Sequence, residues 1–220
     1  MRCLVMGRTF QRARRPEQKA QQRERIVVAA RSFLEQAEHS SELSLADVAN
    51  LAGMARSNVY RYFDSREDIL LAILGAEIAL WIQDVIERLA TAEGDLDSRL
   101  LHLAVTIDEA TAPRPLLCHL VSVLPGLLDT TRGNDPADPF ISDMQRLRER
   151  LTQAMTQAVP ELTEAEHFDL MRHVTSFIIG AWPLSASART SGTTLGYREK
   201  PGFQKELRRA VLVVARGILG

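Results

Sequence analysis

Residues 43–63 read LSLADVANLAGMARSNVYRYF, and the organisation of the front of the chain turns on this stretch. Ser44 is of the right type for a helix N-cap, and Asp47 stands three residues on, where a capping-box acid belongs. Leu45, Val48, Ala49 and Ala52 then mark one buried helix face, and Gly53 stops that helix after barely two turns. A second short helix is predicted from about Arg56 to Phe63, burying Val59, Tyr62 and Phe63. Two short helices around a glycine have the dimensions of a helix-turn-helix, here over residues 45–63. A helix enters the major groove of a duplex only if another helix packs across it and holds it outward. The small Ala49, Ala52 and Ala55 allow that crossing, and Arg56, Ser57, Asn58, Tyr60 and Arg61 are left to meet base edges or phosphates. An ordinary solvated face is the competing reading of Arg56 and Arg61. The coincidence of the turn, the small residues and a basic N-terminal segment favours the groove.

The pattern outside this stretch is helical almost throughout. A helix is predicted over 17–38, with Ile26, Ala29, Ala30, Phe33 and Ala37 on one face, and a polar break follows at 39–43. Ser65 with Asp68 repeats the cap-plus-acid signature and opens a helix through Ile69, Leu70, Ile73, Leu74, Ile78 and Trp81 to about Leu89. No linker precedes it, so the front module is expected to continue into the body through a rod. Asp97 is expected to start a helix ending near Ala112, and the next is expected to stop around Pro125–Gly126. Residues 129–139 and 189–202 read as loops. Between them lie helices from Phe140 to Val159 and, capped by Thr163 and Glu166, on to about Ala188. A last helix carries Phe203, Leu207, Ala210, Val211, Val214 and Ile218 on one face. The expected class is all-α, divided into a basic disordered arm over 1–16, a helix-turn-helix domain over 17–64 and a helical body over 65–220.

Charge follows the same division. Residues 1–66 carry 12 Arg and Lys against 7 Asp and Glu, and the remainder carries 15 against 21. A basic front on an acidic body points to a polyanion partner for the front alone. Arg8, Arg12, Arg14, Arg15 and Lys19 read as an arm for a minor groove or flanking phosphates, or as a solubilising tail. An organelle transit peptide is a third reading of that segment, and Met6 is a second candidate start. The two cysteines, Cys3 and Cys118, make neither a disulfide framework nor a metal-ligand spacing, which fits a reducing cytoplasm. No segment reads as a signal peptide or approaches a membrane span, so no membrane partner is expected. No GxSxG elbow, phosphate-binding loop, dinucleotide fingerprint or HExxH is present, and no acids or histidines are paired for acid–base work. The chain is therefore not expected to be an enzyme, and no cofactor or metal is expected.

The runs RERIVVAARSFLEQ (23–36) and LSLADVANLAGMARSNVYRYFDSREDILLAIL (43–74) resemble the tetracycline-repressor (TetR) family of bacterial regulators. NVYRYF followed by SRED is the most specific part, and the likeness covers residues 20–75. The resemblance implies an all-helical fold of about nine helices, three for DNA and the rest for a ligand and dimerisation. It places Arg56 and Ser57 at the groove-facing start of the recognition helix, with guanine the geometric partner of Arg56. It gives Tyr60 and Tyr62 phosphates to reach, although Tyr62 reads equally as a core residue with an exposed hydroxyl. Arg66, and in one reading Ser44, would help helix N-termini hold phosphates, while capping alone is the other reading of Ser44. Two departures stand out. Ala55 occupies the place of a capping Ser or Thr, and EHSSEL follows the first helix where the family favours Gly.

The resemblance alone implies an effector. Candidate pocket residues are Trp81, His102, Cys118, His119, Met144, Phe177 and Trp182, each of which reads singly as a core or hydrogen-bonded side chain. The segment VTSFIIGAWPL (174–184) is apolar nearly all round. With the last helix it would form a four-helix bundle with a twofold mate, where Gly180, Ala181 and Gly217 permit close approach, and an intramolecular core is the competing account. The expected partners are a palindromic operator in double-stranded DNA, a small molecule, and a second copy of the chain. The expected role is a repressor, with an activator or an effector-free interaction protein as the alternatives.

Overall fold

The computed structural model describes residues 8–36, 43–131, 139–191 and 202–220. Among them are nine helices: α1 (Arg8–Gln36), α2 (Leu45–Leu51), α3 (Arg56–Val59), α4 (Arg66–Leu89), α5 (Leu96–Thr111), α6 (Pro115–Thr131), α7 (Pro139–Ala158), α8 (Glu164–Ser191) and α9 (Phe203–Leu219). No strand occurs among the described residues, as the all-α expectation required. The chain divides into two compact units at Ile73–Leu74, inside α4.

In the first unit Ile26, Ala30 and Leu34 of α1 are buried together with Leu43, Val48, Ala49, Ala52, Val59 and Phe63. The opening turns of α4 add Ile69, Leu70 and Ile73. α2 packs on α1 and α3 on α2. Two arginines of α1 tie down the small helices. The Arg25 guanidinium donates to the Ala52 carbonyl at the end of α2 (3.2 Å), and that of Arg23 lies 4.6 Å from the Phe63 ring centroid. Gly53 turns the chain with φ of +65°, a conformation in which other L-residues are strained.

The structure corrects several boundaries. α1 starts at Arg8 instead of Glu17, because the Arg, Gln and Ala of this segment are good helix formers. Residues 8–16, expected to be disordered, are thus helical, and residues 1–7, with both candidate starts, lie outside the described residues. α3 is a single turn, and residues 60–62 continue it as turns. The amides of Arg61 and Tyr62 there bond three residues back, to Asn58 and Val59. α5 is capped by Asp95, whose carboxylate accepts from the Ser98 amide (2.9 Å), and not by Asp97, which pairs with Arg216 of α9. α6 continues through Pro125 to Thr131. Proline removes only one backbone bond, and buried Leu127 holds the helix on the core. Most of the predicted loop 129–139, and 192–201 of the predicted loop 189–202, lie outside the described residues.

The sequence reading found nothing close to a membrane span, but α4 is long and apolar enough for one. Half of its most apolar 18-residue stretch is buried.

The second unit buries α5, α6, α7, α8 and α9 around Leu103, Ile107, Leu120, Met155, Leu170 and Val211. α8 packs against α6, α7 and α9, and α5 packs along α9. Asp108 of α5 is buried and accepts two bonds from Arg208 of α9 (2.9 and 2.5 Å), which pins the C-terminal helix. The Thr163–Glu166 cap of α8 forms as predicted, with the Thr163 amide donating to Glu166 at 2.7 Å. His167 is fully buried with Nε2 3.1 Å from the Val159 carbonyl oxygen. Burial holds its pKa below the usual histidine value, so the ring stays neutral at physiological pH.

Two substitutions at the helix-turn-helix should move stability in opposite directions. A Cβ at Gly53 would touch nothing within 4 Å, so Gly53→Ala carries only the left-handed backbone penalty of about 1–2 kcal/mol. Ala55 has the extended conformation of an N-cap but no side-chain bond, so Ala55→Ser should gain about 1 kcal/mol. Urea unfolding followed by circular dichroism reads both. Unchanged midpoints would contradict this account of the turn.

Candidate nucleic-acid interface

α3 is too short to hold itself in water, and its placement comes from Val59 and Phe63, both buried. With Val59 facing inward, Arg56, Ser57 and Asn58 are exposed on the single turn. Tyr60 and Arg61 are exposed just beyond it, and Tyr62 is half-buried. Five of the predicted contact residues are thus exposed to solvent. Tyr62 is intermediate between its two readings. The Arg56 guanidinium donates to the Tyr60 hydroxyl (3.2 Å) and lies 5.7 Å from that ring's centroid, so two predicted contacts form one hydrogen-bonded unit.

The two helix N-termini are engaged differently from a bare anion site. Ser44 forms a complete capping box with Asp47. Its hydroxyl accepts from the Asp47 amide (3.2 Å) and donates to the Asp47 carboxylate, while its own amide donates to the same carboxylate (3.1 Å). This is the capping alternative for Ser44. At α4, Asp68 accepts from the amides of Asp64 and Ser65, both at 3.2 Å, and the Asp68 amide donates to Ser65 at 3.0 Å. Arg66 is half-buried and pairs with Glu67 at 3.5 Å. A phosphate at this end would meet two carboxylates in the first turn, so Arg66 is less open to one than the sequence indicated.

The second unit holds a cavity of about 420 Å³ lined by α4, α5, α6, α7 and α8. That is within the range of small-molecule sites. Of the predicted pocket residues, Trp81 and Met144 line it and the other five do not. His102 Nε2 lies 2.9 Å from the Arg88 carbonyl oxygen. Cys118 is buried, and desolvation pushes its thiol up to about 12, so it packs as a neutral group. His119 is half-buried. Phe177 and Trp182 pack on Phe203 of α9, the first tilted by 30° at 6.0 Å between ring centroids and the second edge-to-face at 5.2 Å. Sequence reasoning missed Thr111, Arg148, Thr152 and Phe168 as lining residues. Their only sequence signal is a place on amphipathic helices, which does not distinguish a cavity wall from a surface. Among the described residues no cluster of His, Cys, Asp or Glu could hold a metal ion.

Comparison with known proteins agrees with this geometry. Residues 26–73 match the family described as bacterial regulatory proteins, tetR family, and residues 75–220 match the tetracyclin repressor-like C-terminal domain. An HTH-type transcriptional regulator of Mycobacterium tuberculosis is 38% identical over 90 residues, or 38% of this chain and 43% of the relative. The match therefore spans less than half the length of that relative. A TetR transcriptional regulator from Rhodococcus sp. RHA1 superposes with a TM-score of 0.53 at 19% identity, over 89% of this chain and 96% of its own. A protein of Mesorhizobium loti, named as a TetR-family regulator, gives 0.52 at 17% identity over 91% and 96%. These two show the shared fold. With a helix-turn-helix in the first unit and the repressor-like helical domain in the second, the chain belongs to the tetR family of bacterial transcriptional regulators.

Proposed function

We propose that the protein is a homodimeric repressor that binds a roughly palindromic operator, one recognition helix per half-site, and releases it when a small molecule enters the cavity of the second unit. The observation that carries this reading is the exposure of Arg56, Ser57, Asn58 and Arg61 around a buried Val59 anchor. Arg56 is assigned to a base edge, and Tyr60 and Arg61 to the backbone. The basic residues of α1 from Arg8 to Lys19 are assigned to flanking phosphates. For release, α4 is the relevant element, since Ile78, Trp81 and Ile82 line the cavity. A ligand loosens DNA only if it prefers the α4 arrangement that spaces the two recognition helices wrongly.

Dimerisation is assigned to α8 and α9. His173, Ser176, Gly180 and Leu184 recur at helical spacing on an exposed face of α8, and Val213 and Gly217 are exposed on α9. Leu184 and Val213 are 58% and 62% exposed, which a second copy would cover. Side chains added at Gly180 or Gly217 would meet nothing within 4 Å in the single chain.

Arg56→Ala should weaken binding to the DNA upstream of the protein's own gene by about tenfold to a hundredfold, as expected for one lost guanine contact. The gel-shift is read at fixed salt, with sedimentation showing the dimer unchanged. Undiminished binding would exclude Arg56 from the contact. Gly180→Arg should leave helicity intact and turn the dimer into a monomer at micromolar concentration. A persisting dimer would move the interface elsewhere.

A further inference from the structure

The effector reading above leaves the chemistry of the ligand open, and the cavity wall narrows it. We propose that the cavity takes an amphiphile with a single anionic head, of which a medium-chain carboxylate is the simplest. Its apolar part would fill the interior, and its head would sit at Arg148 and Thr152 of α7.

Most of the wall is aliphatic or aromatic, and among the described residues its charged members are Arg148 and Arg172. The hydroxyls of Thr111, Thr175 and Ser176 in the wall are engaged. Thr111 accepts from Trp81 Nε1 (3.0 Å) and donates to the Ile107 carbonyl (2.6 Å). Thr175 and Ser176 donate to carbonyls of their own helix, each at 2.9 Å. A polar group pushed into this interior would lose water and find few partners, which is costly. The interior therefore selects an apolar chain.

The two cations differ. Arg172 has two N–H groups on the Asp169 carboxylate, at 3.0 and 3.3 Å. Arg148 makes no ion pair among the described residues. Its guanidinium lies 5.3 Å from the Phe168 ring centroid. Arg148, Thr152 and Phe168 line both the cavity and the groove outside it, so they form the sill between the two. Thr152 follows Arg148 by one turn on the same face of α7. An anionic head lodged there meets a guanidinium and a hydroxyl while its chain points inward. The outer groove also holds Glu149 and Glu164, which repel any anionic head and repel one of higher charge more strongly. Arg148 and Arg172 repel a cationic head at the cavity wall itself.

The test uses the full-length protein with decanoate, decan-1-ol and decyltrimethylammonium, read by calorimetry and by DNA release in a gel-shift. Decanoate should bind at least about tenfold more tightly than the alcohol, and Arg148→Gln should remove that advantage while leaving the alcohol's affinity unchanged. Arg148 is exposed, so the variant should fold, and circular dichroism checks this. Thr152→Val should weaken decanoate alone, by a smaller factor. Equal binding of alcohol and carboxylate, tighter binding of the cation, absence of decanoate binding, or indifference to Arg148→Gln would each overturn the proposal. The DNA arm separates the two readings. Decanoate held through Arg148 without loss of DNA binding keeps the ligand class and removes the effector role. Release of DNA by the alcohol or the cation alone does the reverse.

Discussion

Everything in the first unit depends on a four-residue helix being held by something other than itself. α3 forms a single turn, and no helix that short persists in water on its own hydrogen bonds. Three constraints replace intrinsic stability. Gly53 reverses the chain in a left-handed conformation, Val59 and Phe63 sink into the core, and α1 reaches across to the end of α2 and to Phe63 through Arg25 and Arg23. Because the inward side of α3 is committed to packing, its outward side has no structural duty. Polar residues there are free to serve recognition, and this is the physical link between the fold and the chemistry assigned to the interface.

What was legible in the sequence was mostly local. Ser44–Asp47, Ser65–Asp68 and Thr163–Glu166 are reciprocal caps spanning three residues, and all three form. Glycine at the turn and the apolar spacing of α2 are of the same kind. Errors arose where tertiary contacts outweigh local signals. Pro125 reads as a stop, yet buried Leu127 carries α6 past it. Asp97 looks as good a cap as Asp95, and only the folded backbone, with Asp97 drawn to Arg216, separates them.

The cavity was scarcely legible, for a related reason. Its wall is assembled from five separate helices. Unusual residues such as His102, Cys118 and His119 attract notice in a sequence, but they serve packing and helix-to-helix bonds here or sit apart from the cavity. The residues that shape the cavity are ordinary leucines, isoleucines and threonines. Their role is set by position, which residue type does not encode.

The hydrogen-bonded pair of Arg56 and Tyr60 leaves less freedom to the arginine. A long arginine side chain forfeits up to about 2 kcal/mol of rotamer freedom when it is fixed. Here part of that loss is taken while the protein is still in solution, since the hydrogen bond to the Tyr60 hydroxyl already ties the end of the guanidinium. A reading head stiffened in advance tolerates angular error poorly. In the base-reading role proposed for Arg56, such a pair would work less toward gripping any duplex harder than toward rejecting one whose bases stand at the wrong tilt.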